Sequence, residues 1–263
     1  MRSNRLRALH AERKLILSAW LSIPSSYAAE VIAHLGFDAV TIDLQHGMIG
    51  FDAAVPMLQA ISTSNAIPLV RPSRNDPAEI MKLLDAGAYG VICPMISTRE
   101  DAERLVSTCR YPPTGTRSFG PARGLLYGGM DYLSGADKEM LVLAMIETEV
   151  AIANLDAIVA TPGLDGIFIG PNDLALALGR SPKPEHDDPF VIERVEHIRK
   201  TAAAKGLMTG IFCSGPAGAV QRVQQGFDLI TPGNDVMFLR NVLNSAMAEI
   251  RGAKRPEPSS TGY

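Results

Sequence analysis

Charged side chains follow four apolar segments of this 263-residue sequence, at the point where each segment ends. Asp43 ends AVTID and Arg71 ends IPLVR, while Glu147 follows LVLAMI and Asp173 follows GIFIGPN. A charge placed directly after a buried segment is costly unless it faces a polar pocket or a counterion. The pattern therefore predicts that these four side chains border one polar site.

Glu147 and Asp173 are the pair most typical of a metal site. They are separated by 26 residues, about one strand and one helix, so we expect them at neighbouring strand ends. Two adjacent carboxylates repel and raise each other's pKa unless a cation lies between them. Two carboxylates that leave room for water and substrate suit Mg²⁺ or Mn²⁺ rather than zinc. The alternative is that each acid only caps the helix that follows it.

Arg71 and His46 are the candidates for binding and proton transfer. The planar fork of Arg71 suits a carboxylate or enolate oxygen, although it could equally form an internal salt bridge with Asp43 on the neighbouring strand. His46 is the one histidine of five that directly follows a predicted strand. An imidazole can act as a general base at neutral pH, and the alternative is a solvated loop histidine.

The lysines argue against covalent catalysis through a Schiff base. A Schiff-base enzyme needs a desolvated lysine in its active site, and none of the seven lysines follows one of the apolar segments. Polarisation of a carbonyl would then fall to a metal acting as a Lewis acid. The residues alone therefore predict a divalent-metal enzyme that handles a small anionic carbonyl compound.

The elements that must position these residues alternate regularly along the chain. Continuous apolar runs predict eight parallel strands buried on both faces, at residues 15–22, 38–43, 67–72, 90–95, 141–147, 166–171, 207–213 and 227–233. Helical patterns follow them at residues 25–35, 51–64, 77–86, 98–109, 150–159, 189–205, 216–224 and 235–250. Eight such units in this length predict a single (β/α)8 barrel rather than two small domains. We expect the barrel to span residues 1–251.

Three segments lie outside this regular alternation of strands and helices. Residues 110–140 form a long Gly- and Pro-rich excursion and residues 179–189 a shorter polar one, and both are predicted as loops. A loop as long as residues 110–140 more often carries a function than serves only as a connection. The tail at residues 252–263 is predicted to be disordered.

Composition excludes several partners. The net charge of −3 and the pI near 6.0 are a poor match to a nucleic-acid binder. The three cysteines share no CxxC spacing and predict reduced thiols. The apolar run near the N-terminus is too weak for a secretory signal and too short to span a bilayer. We therefore expect a cytoplasmic protein with no membrane or nucleic-acid partner.

A resemblance to a known family rests on five sequence blocks: IDLQHG (42–47), VRPSRNDPAEIMKLLDAGAYGVICPM (70–95), RYPPTGTRSFGPAR (110–123), MIET (145–148) and GIFIGPNDLALALG (166–179). These blocks resemble the HpcH/HpaI aldolases. The family comprises metal-dependent class II pyruvate aldolases, including 4-hydroxy-2-oxoheptanedioate and 2-dehydro-3-deoxyglucarate aldolases. The resemblance covers residues 15–250 and implies reversible addition of a pyruvate enolate to an aldehyde.

The resemblance also implies a role for each candidate residue. Glu147 and Asp173 would ligate Mg²⁺, Mn²⁺ or Co²⁺, which a 2-oxo acid chelates. Arg71 matches the arginine that stabilises the enolate oxygen. His46 matches the proposed base, acting through a metal-bound water, and Asp43 lies in the same motif.

Further implied features concern the substrate and the assembly. The backbone of Pro171, Asn172 and Asp173 would hold the substrate carboxylate at a helix N-terminus. Asp85 matches an acid that supports the histidine of a neighbouring subunit. Family members are trimers or hexamers that exchange their C-terminal helix between subunits, so the resemblance implies a homo-oligomer.

Donor and acceptor choice are the open points. Met145 stands where several family members have glutamine, and the AMIET and RSFGPxR blocks resemble a subgroup that accepts hydroxypyruvate as well as pyruvate. We expect the aldehyde acceptor to be selected by residues 118–127 and by packing around Trp20. Two alternatives are an acyl-CoA lyase of the citrate-lyase β or malyl-CoA type, with Arg117 and Arg123 facing the CoA phosphates, and a non-enzymatic binding protein.

Overall fold

Eight parallel strands form a closed barrel in the computed structural model, which describes residues 1–253. Each strand pairs with the next, and β8 returns to β1. The strands are β1 (Ile16–Leu21), β2 (Ala39–Asp43), β3 (Ile67–Arg71), β4 (Gly90–Cys93), β5 (Leu141–Met145), β6 (Gly166–Ile169), β7 (Met208–Phe212) and β8 (Leu229–Thr231). The predicted single (β/α)8 barrel is confirmed.

Thirteen helices connect and cover these strands in the described part of the chain. They are α1 (Arg5–Ala11), α2 (Ser26–Ala33), α3 (Phe51–Ile61), α4 (Pro77–Asp85), α5 (Arg99–Cys109), α6 (Ala122–Gly128), α7 (Tyr132–Glu139), α8 (Glu149–Ala153), α9 (Leu155–Val159), α10 (Pro171–Ala177), α11 (Pro189–Ala203), α12 (Pro216–Gln224) and α13 (Asp235–Gly252). Within residues 1–253, no helix combines the length and the apolar character needed to cross a membrane.

Burial on both faces explains the uninterrupted apolar strands. Nearly every strand residue is buried, and the parallel register sets equivalent positions of neighbouring strands side by side. The last pair of β2 and β3 is Asp43 opposite Arg71. The register therefore brings an acid and a base together at the carboxyl end of the barrel, where β/α barrels place their functional groups.

The expectation of a loop at residues 110–140 is wrong, because α6 and α7 lie within it. The glycines of this segment allow close packing rather than disorder. A Cβ on Gly128 would lie only 2.6 Å from Cδ2 of Tyr132 and 2.9 Å from Oη of Tyr89. Short helices of this kind are stabilised by tertiary contacts more than by local propensity.

Other helices also differ from the prediction. Helix α1 was not predicted, and it is fixed by Asn4, whose side chain donates to the carbonyls of Tyr89 and Glu139 at 3.0 and 2.9 Å. Helix α10 was not predicted either, because it begins directly after β6. The helix predicted at residues 150–159 is divided into α8 and α9 at Asn154.

The C-terminal helix differs from the others in its burial. Helix α13 has no buried residue, whereas most helices of the barrel bury one face. It extends to Gly252, two residues beyond the predicted end. The predicted disordered tail starts at this residue, and its positions 254–263 lie outside the described residues.

Candidate active site

A cavity of about 480 Å³ opens at the carboxyl ends of the strands. One part of its wall comes from β2, β3, β5 and β6 and includes Asp43, Arg71, Met145, Gly170 and Asp173. Another part comes from β1, β7 and β8 and includes Trp20, Ser22, Phe212, Asn234 and Val236. His46 and Met48 line it from the loop after β2.

Asp43 is the centre of a hydrogen-bonded cluster in this wall. Its carboxylate accepts from Nε and Nη2 of Arg71 at 2.8 and 2.6 Å, and from Nε1 of Trp20 at 3.2 Å. It also accepts from the backbone N–H groups of Gln45 and His46. The internal salt bridge considered from the sequence is therefore present, and it holds the Arg71 guanidinium in one orientation.

The electrostatics of this cluster favour the charged forms. Burial acts to raise the pKa of Asp43, but the hydrogen bonds and charge of Arg71, with help from His46 and Trp20, hold that pKa below its usual value. The guanidinium carbon of Arg71 lies 4.8 Å from the centre of the Trp20 ring. Trp20 is itself fixed by Phe168, stacked at 5.5 Å, and by Phe212, edge-on at 5.6 Å.

Glu147 and Asp173 converge on Gly170. A Cβ on Gly170 would lie 2.6 Å from Oε2 of Glu147 and 3.5 Å from Oδ2 of Asp173, so the two oxygens border one small space that only glycine leaves open. Oε1 of Glu147 accepts from the backbone N–H of Met95 at 2.9 Å. Oε2 is buried and has no hydrogen-bond partner among the described residues.

Neither acid caps the following helix with its side chain. Thr148 is the N-cap of α8, and its hydroxyl accepts from Ala151. Gly170 is the N-cap of α10, which has no side-chain capping bond. The capping alternative raised from the sequence is therefore wrong for Glu147, and Asp173 lies exposed in the first turn of α10.

A divalent cation fits this arrangement. Burial raises the pKa of Glu147 to about 7, opposed by the Met95 N–H and reinforced by the negative charge of Asp173. A buried carboxylate oxygen without a partner, facing a second carboxylate, is the environment that a hard cation neutralises. Within residues 1–253 there is no group of three or more His, Cys, Asp or Glu around a common point. Water and substrate would therefore complete the coordination, as suits Mg²⁺ or Mn²⁺.

His46 and the start of α10 lie at the cavity mouth. His46 is exposed, and its ring makes no hydrogen bond within the described chain. Of the three residues predicted to hold a substrate carboxylate through their backbone, Pro171 has no N–H group, which corrects that prediction. Asn172 and Asp173 retain theirs and line the cavity, so for them it stays a prediction.

Asp85 is not brought to this cavity within one chain. It ends α4, near the point where the chain turns into β4, and its carboxylate accepts from Nη2 of Arg117 at 2.7 Å. Burial raises the pKa of Asp85 against the opposing effect of Arg117. Its role towards a neighbouring subunit stays a prediction.

Residues of the 110–140 segment were expected to select the acceptor aldehyde or, in the alternative function, to bind the phosphates of CoA. No residue of 118–127 lines the cavity of its own chain. Arg117 is fully buried, and Arg123 donates to the carbonyls of Ala86 and Leu58 and to the Ser62 hydroxyl. These arginines therefore form no open basic groove for CoA phosphates.

Several cavity residues were not predicted from the sequence, because the candidate residues were chosen mainly among charged side chains. Ser22, Met48, Phe212, Asn234 and Val236 are uncharged, yet all of them line the cavity. The signal that could have found them is position, since each lies at or just beyond a strand's carboxyl end. Gly170, the residue that leaves room between the two acids, could have been found in the same way.

A known protein family matches most of the chain. A family model described as HpcH/HpaI aldolase/citrate lyase covers residues 17–242. The chain belongs to this family. As an HpcH/HpaI family member it is an aldolase, a carbon–carbon lyase of class II, and members are generally dependent on a divalent metal.

Individual relatives of this family cover nearly the whole chain. It is 44% identical over 248 residues to a hydroxypyruvate/pyruvate aldolase of Rhizorhabdus wittichii, with 94% of this chain and 99% of that protein covered. It is 34% identical over 240 residues to a 5-keto-4-deoxy-D-glucarate aldolase of Escherichia coli, covering 90% and 93% respectively. A solved structure of a family protein from Burkholderia cenocepacia superposes with a TM-score of 0.90 at 31% identity, over 95% of this chain and 100% of that one.

Proposed function

We propose that this aldolase uses pyruvate or hydroxypyruvate as donor, adds its enolate to an aldehyde and cleaves 4-hydroxy-2-oxo acids in reverse. The donor is supported by the 44% identity to a hydroxypyruvate/pyruvate aldolase. The observation that carries the proposal is that carboxylate oxygens of Glu147 and Asp173 both lie within 4 Å of the position that a Cβ on Gly170 would take, while Asp43 fixes Arg71 in the wall of the same cavity. An acid pair for a cation and an oriented guanidinium are what enolate formation from a 2-oxo acid requires.

Glu147 and Asp173 would hold Mg²⁺, Mn²⁺ or Co²⁺ through their carboxylate oxygens. The bound cation supplies Lewis-acid polarisation of the 2-oxo carbonyl, which makes the C3 protons of the donor more acidic. Gly170 keeps the space between the two acids open, and Met95 fixes the Glu147 carboxylate through its N–H.

Arg71 supplies a donor aimed at the enolate oxygen. Asp43 occupies Nε and Nη2, while Nη1 makes no hydrogen bond within the described residues and remains for the substrate. Because the Asp43 pair already fixes the guanidinium, little reorganisation accompanies the build-up of charge on the oxygen. Asp43 is therefore a positioning residue.

His46 is placed to move the proton. Removal of a proton from C3 leaves the enolate, whose C3 then forms a bond with the aldehyde carbon while the aldehyde oxygen takes up a proton. In the cleavage direction the 4-hydroxyl loses its proton, the C3–C4 bond breaks and C3 is reprotonated. The exposed imidazole at the cavity mouth can hold that proton in both directions.

Exchange of the C3 protons of pyruvate with deuterium tests this proposal. With Mn²⁺ or Mg²⁺ present, we expect exchange by the wild-type protein, loss of exchange in EDTA, and recovery when metal is restored. Glu147→Gln should lose exchange while keeping its folded circular dichroism. Full exchange after thorough chelation would contradict the role of the metal. Absence of exchange into both pyruvate and hydroxypyruvate under every metal would contradict the proposed donor.

The same proposal includes a homo-oligomer, a trimer or hexamer, in which α13 packs on another subunit. Helix α13 carries an apolar stripe at helical spacing that the described chain leaves uncovered: Leu239, Val242, Leu243, Met247 and Ile250, each 45–74% exposed. A stripe of this length on a helix without buried residues is typical of an interface.

A further inference from the structure

The two carboxylates of the candidate metal site are held to different degrees. The Glu147 carboxylate is buried and accepts from the Met95 N–H at 2.9 Å. Asp173 is exposed in the first turn of α10, and its carboxylate makes no hydrogen bond within residues 1–253. The position of the Asp173 carboxylate therefore depends on what holds the start of α10. Contacts that orient a metal ligand from outside the metal site contribute substantially to metal affinity.

Residues 180–188, which we call the strap, connect α10 to α11 and are anchored at two points. An ion pair between Nε of Arg180 and Oδ2 of Asp188, 3.3 Å apart, joins the two ends of the strap. Near its middle, Oε1 of Glu185 accepts from the backbone N–H of Ser214, just beyond the end of β7, at 3.4 Å. The strap is thereby held against the carboxyl end of the barrel.

The strap also binds the start of α10 through one side chain. Oδ1 of Asn172, the residue before Asp173, accepts from the backbone N–H of Lys183 at 3.2 Å. Nε2 of His186 lies 3.0 Å from the same oxygen, and because an amide oxygen only accepts, the imidazole is the donor. Burial and the positive charge of Arg222 lower the pKa of His186, which favours the neutral ring with its proton on Nε2.

The contact between the strap and α10 lies directly behind the cavity wall. A small void separates the strap from the cavity, and Pro171, Asn172 and Phe212 line both of them. His186 lines the void but not the cavity. Its side chain therefore reaches the site through Asn172 rather than through the substrate.

We propose that His186 is a positioning residue of the metal site, which acts through Asn172 to orient the carboxylate of Asp173. This inference rests on the proposed function, because it takes Asp173 as a metal ligand. The strap then does for Asp173 what the Met95 N–H does for Glu147.

Binding of Mn²⁺ to the metal-free protein, measured by calorimetry, tests the proposal. We expect His186→Ala to bind Mn²⁺ about tenfold more weakly than the wild type. His186→Gln retains a side-chain N–H donor of similar reach and should recover most of the affinity. His197→Ala removes an exposed imidazole of α11 that lines neither the cavity nor the void, and should bind as the wild type does. Wild-type affinity in a folded His186→Ala protein would overturn the inference.

A double-mutant cycle tests whether His186 acts through Asn172. Asn172→Ala removes the acceptor of the same hydrogen bond and should also weaken Mn²⁺ binding by about tenfold. The double variant should bind Mn²⁺ no more weakly than Asn172→Ala alone, because the bond is already lost. Fully additive losses would contradict action through Asn172. If His186→Ala does not fold, Asn172→Ala decides, and wild-type affinity in that variant overturns the inference.

Deuterium exchange into pyruvate separates metal positioning from proton transfer. At Mn²⁺ concentrations that saturate His186→Ala, its maximal rate of exchange should return to that of the wild type, because the change affects metal occupancy and not the chemical step. A rate that stays low at saturating Mn²⁺ would contradict a role in metal positioning.

The wild-type protein distinguishes failure of this inference from failure of the proposed function. If it binds Mn²⁺ and catalyses exchange while His186→Ala keeps its affinity, only the role of His186 is overturned. Absence of exchange in the wild-type protein with metal overturns the proposed function, and the inference with it.

Discussion

Asp43 accepts five hydrogen bonds from Arg71, Trp20, Gln45 and His46. One buried carboxylate thus ties together the ends of β1, β2 and β3 and the loop that bears the proposed base. Such a fully satisfied network fixes the geometry of its members, and removing one partner leaves a buried charge unpaired.

Substitution of Arg71 should show that its fork, and not only its charge, is needed. Lysine cannot bridge both oxygens of Asp43 and still reach the substrate, so we expect Arg71→Lys and Arg71→Ala each to lose about 10²–10³ in kcat. Arg74→Ala, an exposed arginine three residues later, is the control and should retain activity. Near wild-type turnover of Arg71→Lys would contradict a role for the planar fork.

The lowered pKa of Asp43 predicts how stability depends on pH. An acid whose pKa is lower in the folded than in the unfolded protein stabilises the fold above its unfolded value, about 3.9, and this contribution is lost as pH falls through the folded value. Between about pH 5 and pH 2, urea midpoints should therefore fall more steeply for the wild type than for Asp43→Asn. Glu30→Gln, an exposed change on α2, should follow the wild type.

The effect of Gly170 on metal binding can be tested by comparison with Gly50, which is the N-cap residue of another helix. Gly170 and Gly50 are both N-cap residues with negative φ, at −96° and −93°. A Cβ on Gly170 would displace Glu147, whereas a Cβ on Gly50 meets nothing within 4 Å. We expect Gly170→Ala to weaken Mn²⁺ binding, measured by calorimetry, by at least about tenfold. Gly50→Ala should bind Mn²⁺ as the wild type does, and equal affinities of the two variants would contradict the proposed metal position.

At the scale of elements, the two helices of the 110–140 segment serve the barrel wall. Arg117 is fully buried, pairs with Asp85 of α4, and lies over the rings of Tyr111 and Tyr132. Arg123 reaches the carbonyl at the end of α4. Arginines therefore fasten the segment to α4, and in the described chain none of its residues lines the cavity.

The exposed apolar stripe of helix α13 can be tested by placing a charge on it. Val242 and Leu243 lie on its uncovered stripe, and Asn241 lies on the opposite side. A glutamate within an apolar interface is unfavourable, so Leu243→Glu should shift the protein to a smaller species in light scattering after gel filtration. Asn241→Glu adds the same charge and should keep the assembly of the wild type. A wild-type protein that is monomeric at micromolar concentration would contradict the interface.

Across the whole molecule, the sequence predicted best what depends on burial and strand order. Strands buried on both faces leave continuous apolar runs, which is why all eight were found, and strand order then placed Asp43 beside Arg71. Contacts between residues remote in sequence were not accessible in this way. The Asp85–Arg117 pair and the docking of Asn4 on Tyr89 and Glu139 depend on three-dimensional packing that no local pattern encodes.

Trp20 gives the whole molecule an internal optical reporter. It is the one tryptophan of the sequence, it is buried, and its indole touches Asp43 and Arg71 in the cavity wall. All tryptophan emission from this protein therefore originates beside the site. Titration with pyruvate in the presence of Mn²⁺ should change that emission in a saturable way, and unfolding should shift it to longer wavelength. The unlabelled protein thus allows ligand occupancy and folding to be followed through the same chromophore.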